Sequence, residues 1–121
     1  MAKNETKFCH EIKKATPKIS WTRIENTSSL GTPDLLGYNS SGTFFTVELK
    51  VTKGNKVTFS THQIAFHMRH PLNTFIMVKH LASSDVKLYE GKFIMELVAC
   101  GLKLDACRSG LEACCLLLED L

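Results

Sequence analysis

No stretch of this chain approaches the run of about eighteen uninterrupted apolar residues that a membrane span needs, and Met1-Ala2-Lys3-Asn4-Glu5 lacks the apolar segment of a signal peptide. The expectation is a cytoplasmic protein with no membrane partner. A disulfide framework is also missing. The five cysteines, Cys9, Cys100, Cys107, Cys114 and Cys115, are odd in number, and four of them crowd into a C-terminal apolar segment. They lack the Cys-x-x-Cys plus His spacing of a structural zinc site, so buried free thiols are expected. There is no internal repeat, no low-complexity tract, and no interleaving of aromatic with basic residues that would point to base-specific reading of a nucleic acid.

What is present is enough for one small domain spanning 1–121. Of the 121 residues, 44% are hydrophobic, sufficient for a single compact core. The net charge of +3 is unevenly spread: residues 1–84 carry +6 and residues 85–121 carry −3. Such asymmetry suits a polyanion on one face and packing or a partner on another, although a solvated surface would also produce it.

The order of elements follows from periodicity. Phe8, Ile12 and Ala15 mark an amphipathic helix over 4–15, closed by Pro17. A strand is expected over 19–24, then a polar connection. Asp34-Leu35-Leu36-Gly37-Tyr38 and residues 43–51 flank the turn Asn39-Ser40-Ser41-Gly42 and read as a β-hairpin. In its second strand Phe45, Val47, Leu49 and Val51 share one face, which turns Phe44, Thr46, Glu48 and Lys50 to the other. A helix follows to about Arg69, with Ser60 and Gln63 forming a capping box. Strands are expected over 73–80 and 86–89, then a helical segment over 92–118 broken near Gly101. This is an α/β (α+β mixed) class: a central mixed sheet flanked by helices, in the order α-β-β-β-α-β-β-α, with its core over about 4–90.

The hairpin carries the chemistry. Neighbouring strands lie about five ångströms apart, so it can bring Asp34 beside Glu48. Two carboxylates that close oppose each other's ionisation, and a divalent cation relieves the conflict. Magnesium takes one or two carboxylates together with phosphate oxygens and water. Lys50, on the same face as Glu48, is placed to hold or deprotonate an attacking water and to offset negative charge. The exposed alternatives remain open at this stage: Asp34 as a turn residue, Glu48 and Lys50 as a charged strand face, Gln63 as no more than the partner of Ser60.

Gly31-Thr32-Pro33-Asp34-Leu35, then Val47-Glu48-Leu49-Lys50, then Phe59-Ser60-Thr61-His62-Gln63 together resemble the PD-(D/E)XK nuclease superfamily. The similarity is to its VRR-NUC and Holliday-junction-resolvase-like branch, which includes small phage-encoded members, and it covers roughly residues 20–80. The resemblance implies a restriction-endonuclease-like core and a Mg2+-dependent endonuclease, with Mn2+ able to substitute. The partner it implies is DNA, possibly branched, in the host cytoplasm if the protein is phage-encoded. It assigns catalysis to Asp34, Glu48, Lys50 and Gln63, and metal binding to Asp34, Glu48 and the backbone carbonyl of Leu49. An acidic residue from the first helix usually joins them; Glu11 is favoured narrowly, with Glu25 and Glu5 as alternatives.

Lys53, Lys56, Ser60 and Arg69 flank the proposed site as DNA contacts, because neutralising phosphates dominates affinity for nucleic acid. Of the histidines His10, His62, His67, His70 and His80, only His67 and His70 are candidates to face a phosphate, and ordinary surface or satisfied positions are favoured for both. Cleavage selective for a junction, flap or nick is expected rather than sequence recognition. The alternative function is a catalytically inert DNA-binding or assembly module on the same fold. Leu104, Cys107, Leu111, Cys114 and Leu118 form an apolar helical seam, covered either by the chain's own sheet or by a second subunit, and a homodimer is expected across it.

Overall fold

The computed structural model describes residues 2–24 and 31–121. Helix α1 (Lys3–Ala15) is followed by strands β1 (Ser20–Arg23), β2 (Leu35–Tyr38) and β3 (Phe44–Thr52). Helix α2 (Thr61–Arg69) crosses over to β4 (Thr74–His80), and β5 (Val86–Glu90) follows. The chain ends with α3 (Ile94–Cys100), β6 (Arg108–Ser109) and α4 (Leu111–Glu119). The strands form one six-stranded sheet in chain order. Every ladder is antiparallel except β3–β4, which is parallel because α2 carries the chain back before β4 begins. This is the mixed sheet flanked by helices that the periodicity implied.

Alternation along β3 sets the layers. Phe45, Val47 and Leu49 are buried on one face, against Phe8, Cys9 and Ile12 of α1 and Cys114 and Leu118 of α4. The opposite face of β4 packs Ile76 and Val78 against Val57, Ile94 and Leu97, with Phe59 and Ile64 at the margin. Covered on both sides, β4 is buried from Thr74 to Val78, with Phe75-Ile76-Met77-Val78 a continuous apolar run, as in a strand paired in parallel. The β2–β3 turn is held by Asn39, whose side-chain oxygen accepts the N–H groups of Ser41 and Thr43 and whose amide donates to the carbonyl of Leu118 at 3.0 Å.

The C-terminal quarter departs from expectation. The helical segment expected over 92–118 breaks at Gly101, as expected, and again before Gly110, giving α3, a 3-10 turn (Gly101–Lys103), an extended segment containing β6, and α4. Two glycines with positive φ make the cuts. Gly101 has φ 61°, and a Cβ there would lie 2.1 Å from the carbonyl oxygen of Asn55; Gly110 has φ 91°. The expected seam is therefore divided. Leu104 packs with α3 on one face of the sheet, while Leu111, Cys114 and Leu118 lie under the other. The chain's own sheet covers those residues of α4, so the seam offers no continuous stripe to a second subunit.

Cys9, Cys114 and Cys115 are buried free thiols, as expected; Cys107 is half-buried and Cys100 exposed. Burial, the largest cause, pushes the Cys114 thiol up to about 12 and that of Cys115 to about 11, so neither is a nucleophile near neutral pH. Among the described residues no helix is long and apolar enough to cross a membrane.

Candidate active site

Asp34 is placed by what precedes and follows it. Gly31 (φ 78°) lies on the first turn of α2 so closely that a Cβ would sit 2.3 Å from the backbone carbonyl of His62. The chain then enters β2, whose register pairs Leu35 with Val47 and Leu36 with Thr46; one step further, Asp34 comes level with Glu48. The ladder stops there, and the Asp34 carboxylate takes up the N–H of Leu49 at 2.8 Å in place of a strand carbonyl. Leu49 itself points into the core, and its carbonyl lies in the strand segment between Glu48 and Lys50.

Glu48 is only 2% exposed, which is unusual for a carboxylate. Its Oε1 is buried and has no hydrogen-bond donor. Its nearest carboxylate, Asp34, can serve as a partner only if one of the two carries a proton. Burial first, then the charge of Asp34 and a hydrogen bond to it, push the Glu48 carboxyl up to about 9; Lys50 opposes the shift and Glu5 adds to it. A buried acidic pair with an orphaned oxygen fits a divalent cation, which would supply the missing partner for Oε1 and remove the repulsion. Among the described residues no three His, Cys, Asp or Glu side chains form a group that could hold a metal ion.

Lys50 is half-buried and held from two sides. Its ammonium donates to Oε1 of Gln63 at 3.1 Å and lies 4.9 Å from the centre of the Phe59 ring. Gln63 also completes the capping box, accepting the N–H of Ser60 at 2.9 Å while its own N–H donates to Ser60 Oγ at 3.1 Å. The cap and the lysine contact are therefore the same atom. Sequence reasoning missed Phe59 as a partner of Lys50; as the residue before an N-cap it occupies a position where an apolar side chain commonly braces the helix start.

The first-helix carboxylate differs from expectation. Glu11 makes a 2.6 Å ion pair with Lys79 of β4 and is not directed to the acidic pair. It stands six residues along α1 from Glu5, about 9 Å at the helical rise. Of the two candidates among the described residues, Glu5 is the one whose charge reaches Glu48. Glu25 lies outside the described residues.

Lys53 and Lys56 are exposed in the turn after β3, Ser60 caps α2, and Arg69 is exposed in the last turn of α2. His67 does not face a phosphate, because it is fully buried. Its Nδ1 is 2.9 Å from the Gln63 carbonyl and Nε2 has no partner, so the neutral tautomer with a proton on Nδ1 is the consistent one. Burial, above all, lowers its pKa. His70 is exposed, its ring stacked on Phe66 at 4.3 Å. A cavity of about 320 Å3 opens beside the site, lined by Ile24, Thr32, Pro33, Asp34, Ser60 and Gln63 among others.

No protein-family model and no curated protein matches the chain in sequence. Its structure is similar to that of Hjc from Archaeoglobus fulgidus, a Holliday junction resolvase from an archaeal hyperthermophile. The TM-score is 0.53 at 17% identity, over 74% of each chain. The six-stranded mixed sheet with helices on both faces is thus a restriction-endonuclease-like fold, shared with that resolvase.

Proposed function

We propose that the protein is a metal-dependent DNA endonuclease that hydrolyses phosphodiester bonds at a branched or interrupted duplex rather than at a particular sequence. The observation that carries this reading is the Glu48 carboxylate, buried beside Asp34 with one oxygen unpartnered and with Lys50 two residues along the same strand face. Burying an unpaired carboxylate is costly, and a structural role would be filled as well by an apolar side chain. The resolvase fold and the excess positive charge of residues 1–84 support DNA as the substrate.

In this reading Asp34, Glu48 and the carbonyl of Leu49 hold Mg2+ or Mn2+, with Glu5 the first-helix carboxylate nearest to them. The bound cation supplies charge for the scissile phosphate and acidifies water near neutral pH. Lys50, as an ammonium, orients the attacking water and offsets charge on the phosphate oxygens, while the proton of the water passes to solvent. Gln63 and Phe59 fix the Lys50 ammonium, so little reorganisation is needed when the substrate arrives. Lys53, Lys56, Ser60 and Arg69 contact backbone phosphates. Resolving a junction takes a cut in each of two strands while one chain carries one site, so the reading includes a homodimer.

The test is to incubate the protein with labelled linear, flapped and four-way DNA, with Mg2+, with Mn2+ and with chelator. Metal-dependent cleavage of the branched forms is expected, abolished by Asp34→Asn and by Glu48→Gln with DNA binding largely retained. Binding without cleavage in any metal would establish the inert module instead.

A further inference from the structure

On the side of the sheet that faces α2, the β2–β3 register sets three cross-strand pairs in succession. After Asp34 and Glu48 come Leu36 with Thr46, then Tyr38 with Phe44. The last two pairs lead into an open groove of about 320 Å3, floored by Leu36, Phe44 and Thr46 and walled across from them by Phe66, His70 and Leu72.

Three features of this groove are unusual for a protein surface. Phe44 is 60% exposed and Leu72 79%, so large apolar groups are left uncovered at its rim. Its walls are paired rings: Tyr38 lies behind Phe44 at 4.4 Å between centroids, and Phe66 is stacked with His70 at 4.3 Å and 30°. In its floor the hydroxyl of Thr46 is buried without a hydrogen-bond partner. A flat aromatic ligand would answer the first two, stacking on the rings and covering the apolar rim; the Thr46 hydroxyl, sealed from solvent, lies beneath the groove surface.

The location selects which flat ligand. Thr46 and Phe44 are two and four residues from Glu48 along β3, about 7 and about 13 Å at strand spacing. At about 3.4 Å per nucleotide along a strand, that is within about four nucleotides of a phosphate held at the acidic pair. Arg69, next to His70, offers a cation for the phosphate that accompanies the base.

We propose that this groove receives an unstacked nucleobase of the DNA strand bound at Asp34 and Glu48. The placement of the strand rests on the nuclease reading above. A paired base cannot enter without leaving the duplex stack, whereas one at a flap or branch is already free. The groove thereby selects DNA structure, and it does so without regard to sequence, because every base has a face on which a ring can stack.

The experiment measures affinity of the full chain, with Ca2+ in place of Mg2+, for flapped DNA carrying one abasic nucleotide at each of the four positions nearest the branch. One abasic position is expected to weaken binding about tenfold, as loss of one stacked base should. Phe44→Ala should weaken the intact flap by a similar factor and show no further loss at that abasic position. His70→Ala, on the opposite wall, repeats the comparison independently of how the first variant folds. Equal affinity for all abasic DNAs, or losses that multiply in the variants, would overturn the proposal. So would a dimer that Phe44→Ala dissociates with no abasic effect, which would make the groove a contact between copies. Cleavage of the same DNA in Mg2+ is scored separately: cleavage without abasic coupling removes the groove and keeps the nuclease, and coupling without cleavage does the reverse.

Discussion

The ammonium of Lys50 and the side-chain oxygen of Gln63 are 3.1 Å apart, and that same oxygen caps the first turn of α2. The start of a helix and the position of the proposed water-orienting cation are thus one arrangement.

That arrangement separates two variants that resemble each other on paper. Ser60→Ala removes the hydroxyl from the cap and one phosphate contact, and should cost about 1 kcal/mol of stability and weaken DNA binding while the rate at saturating DNA is retained. Gln63→Ala should cost a similar amount of stability and also slow cleavage by about tenfold or more, since it frees Lys50. Urea melts and single-turnover rates on flapped DNA compare them; equal rates in the two variants would reduce Gln63 to a helix cap.

The buried carboxyl makes stability depend on pH in a defined direction. Glu48 ordinarily titrates at 4.5 and in the fold at about 9. Between those values the folded protein keeps a proton that the unfolded chain has released, so raising the pH favours unfolding. His67 acts oppositely and lower down: its pKa falls below the usual 6.5 on folding, so stability is lost as the pH drops through that region. Above 6.5 Glu48 is the one of the two that acts. Metal-free protein should therefore lose stability from pH 6.5 to 9, at no more than about 1.4 kcal/mol per unit. Glu48→Gln should flatten the slope, and Mg2+ should reverse it by binding the ionised pair. Chelator-treated melts at five or six pH values suffice, and an unchanged slope in Glu48→Gln would refute the assignment.

Gly31→Ala tests the support of Asp34 from a distance. The substitution is strained by the positive φ and drives a Cβ into the backbone of α2, so the loop and the helix must separate. A loss of about 1–3 kcal/mol is expected, together with a fall in cleavage as Asp34 shifts. Wild-type melting temperature and rate would mean the loop does not rest on the helix.

Salt dependence tests the turn after β3. Replacing both Lys53 and Lys56 by alanine should reduce the slope of log affinity against log salt by about 0.9 for each phosphate that is no longer neutralised. An unaltered slope would remove the turn from the DNA face.

Much of the fold and of the site is legible in the sequence, for reasons that differ by element. β3 is legible because its alternation is strict and only one register buries Phe45, Val47 and Leu49, which also determines the side for Glu48 and Lys50. The capping box is legible because it is local, complete in Ser60 and Gln63. Glu5 and Glu11 are not separable because periodicity gives the face of a helix and not which of its turns stands beside a distant strand. β6 is not legible because two residues, Arg108 and Ser109, carry no period, and their direction is imposed by pairing with Lys87 and Leu88. Gly110 gives only a weak signal, since a glycine among helix-forming residues is read as a flaw until its φ is known.

The sheet is laid down in the order in which the chain is written, each strand beside its predecessor. Strand pairing therefore needs no long search. The hairpin with the acidic pair closes across a short turn, and the crossover over residues 53–73 is built around α2. The distant encounter is left to the helices, since α1 must meet α4 over one face of the assembled sheet. The ladders can thus nucleate early, while the dry environment that shifts Glu48 is completed later, when the helices dock; refolding should regain strand signal before it regains the perturbed carboxyl.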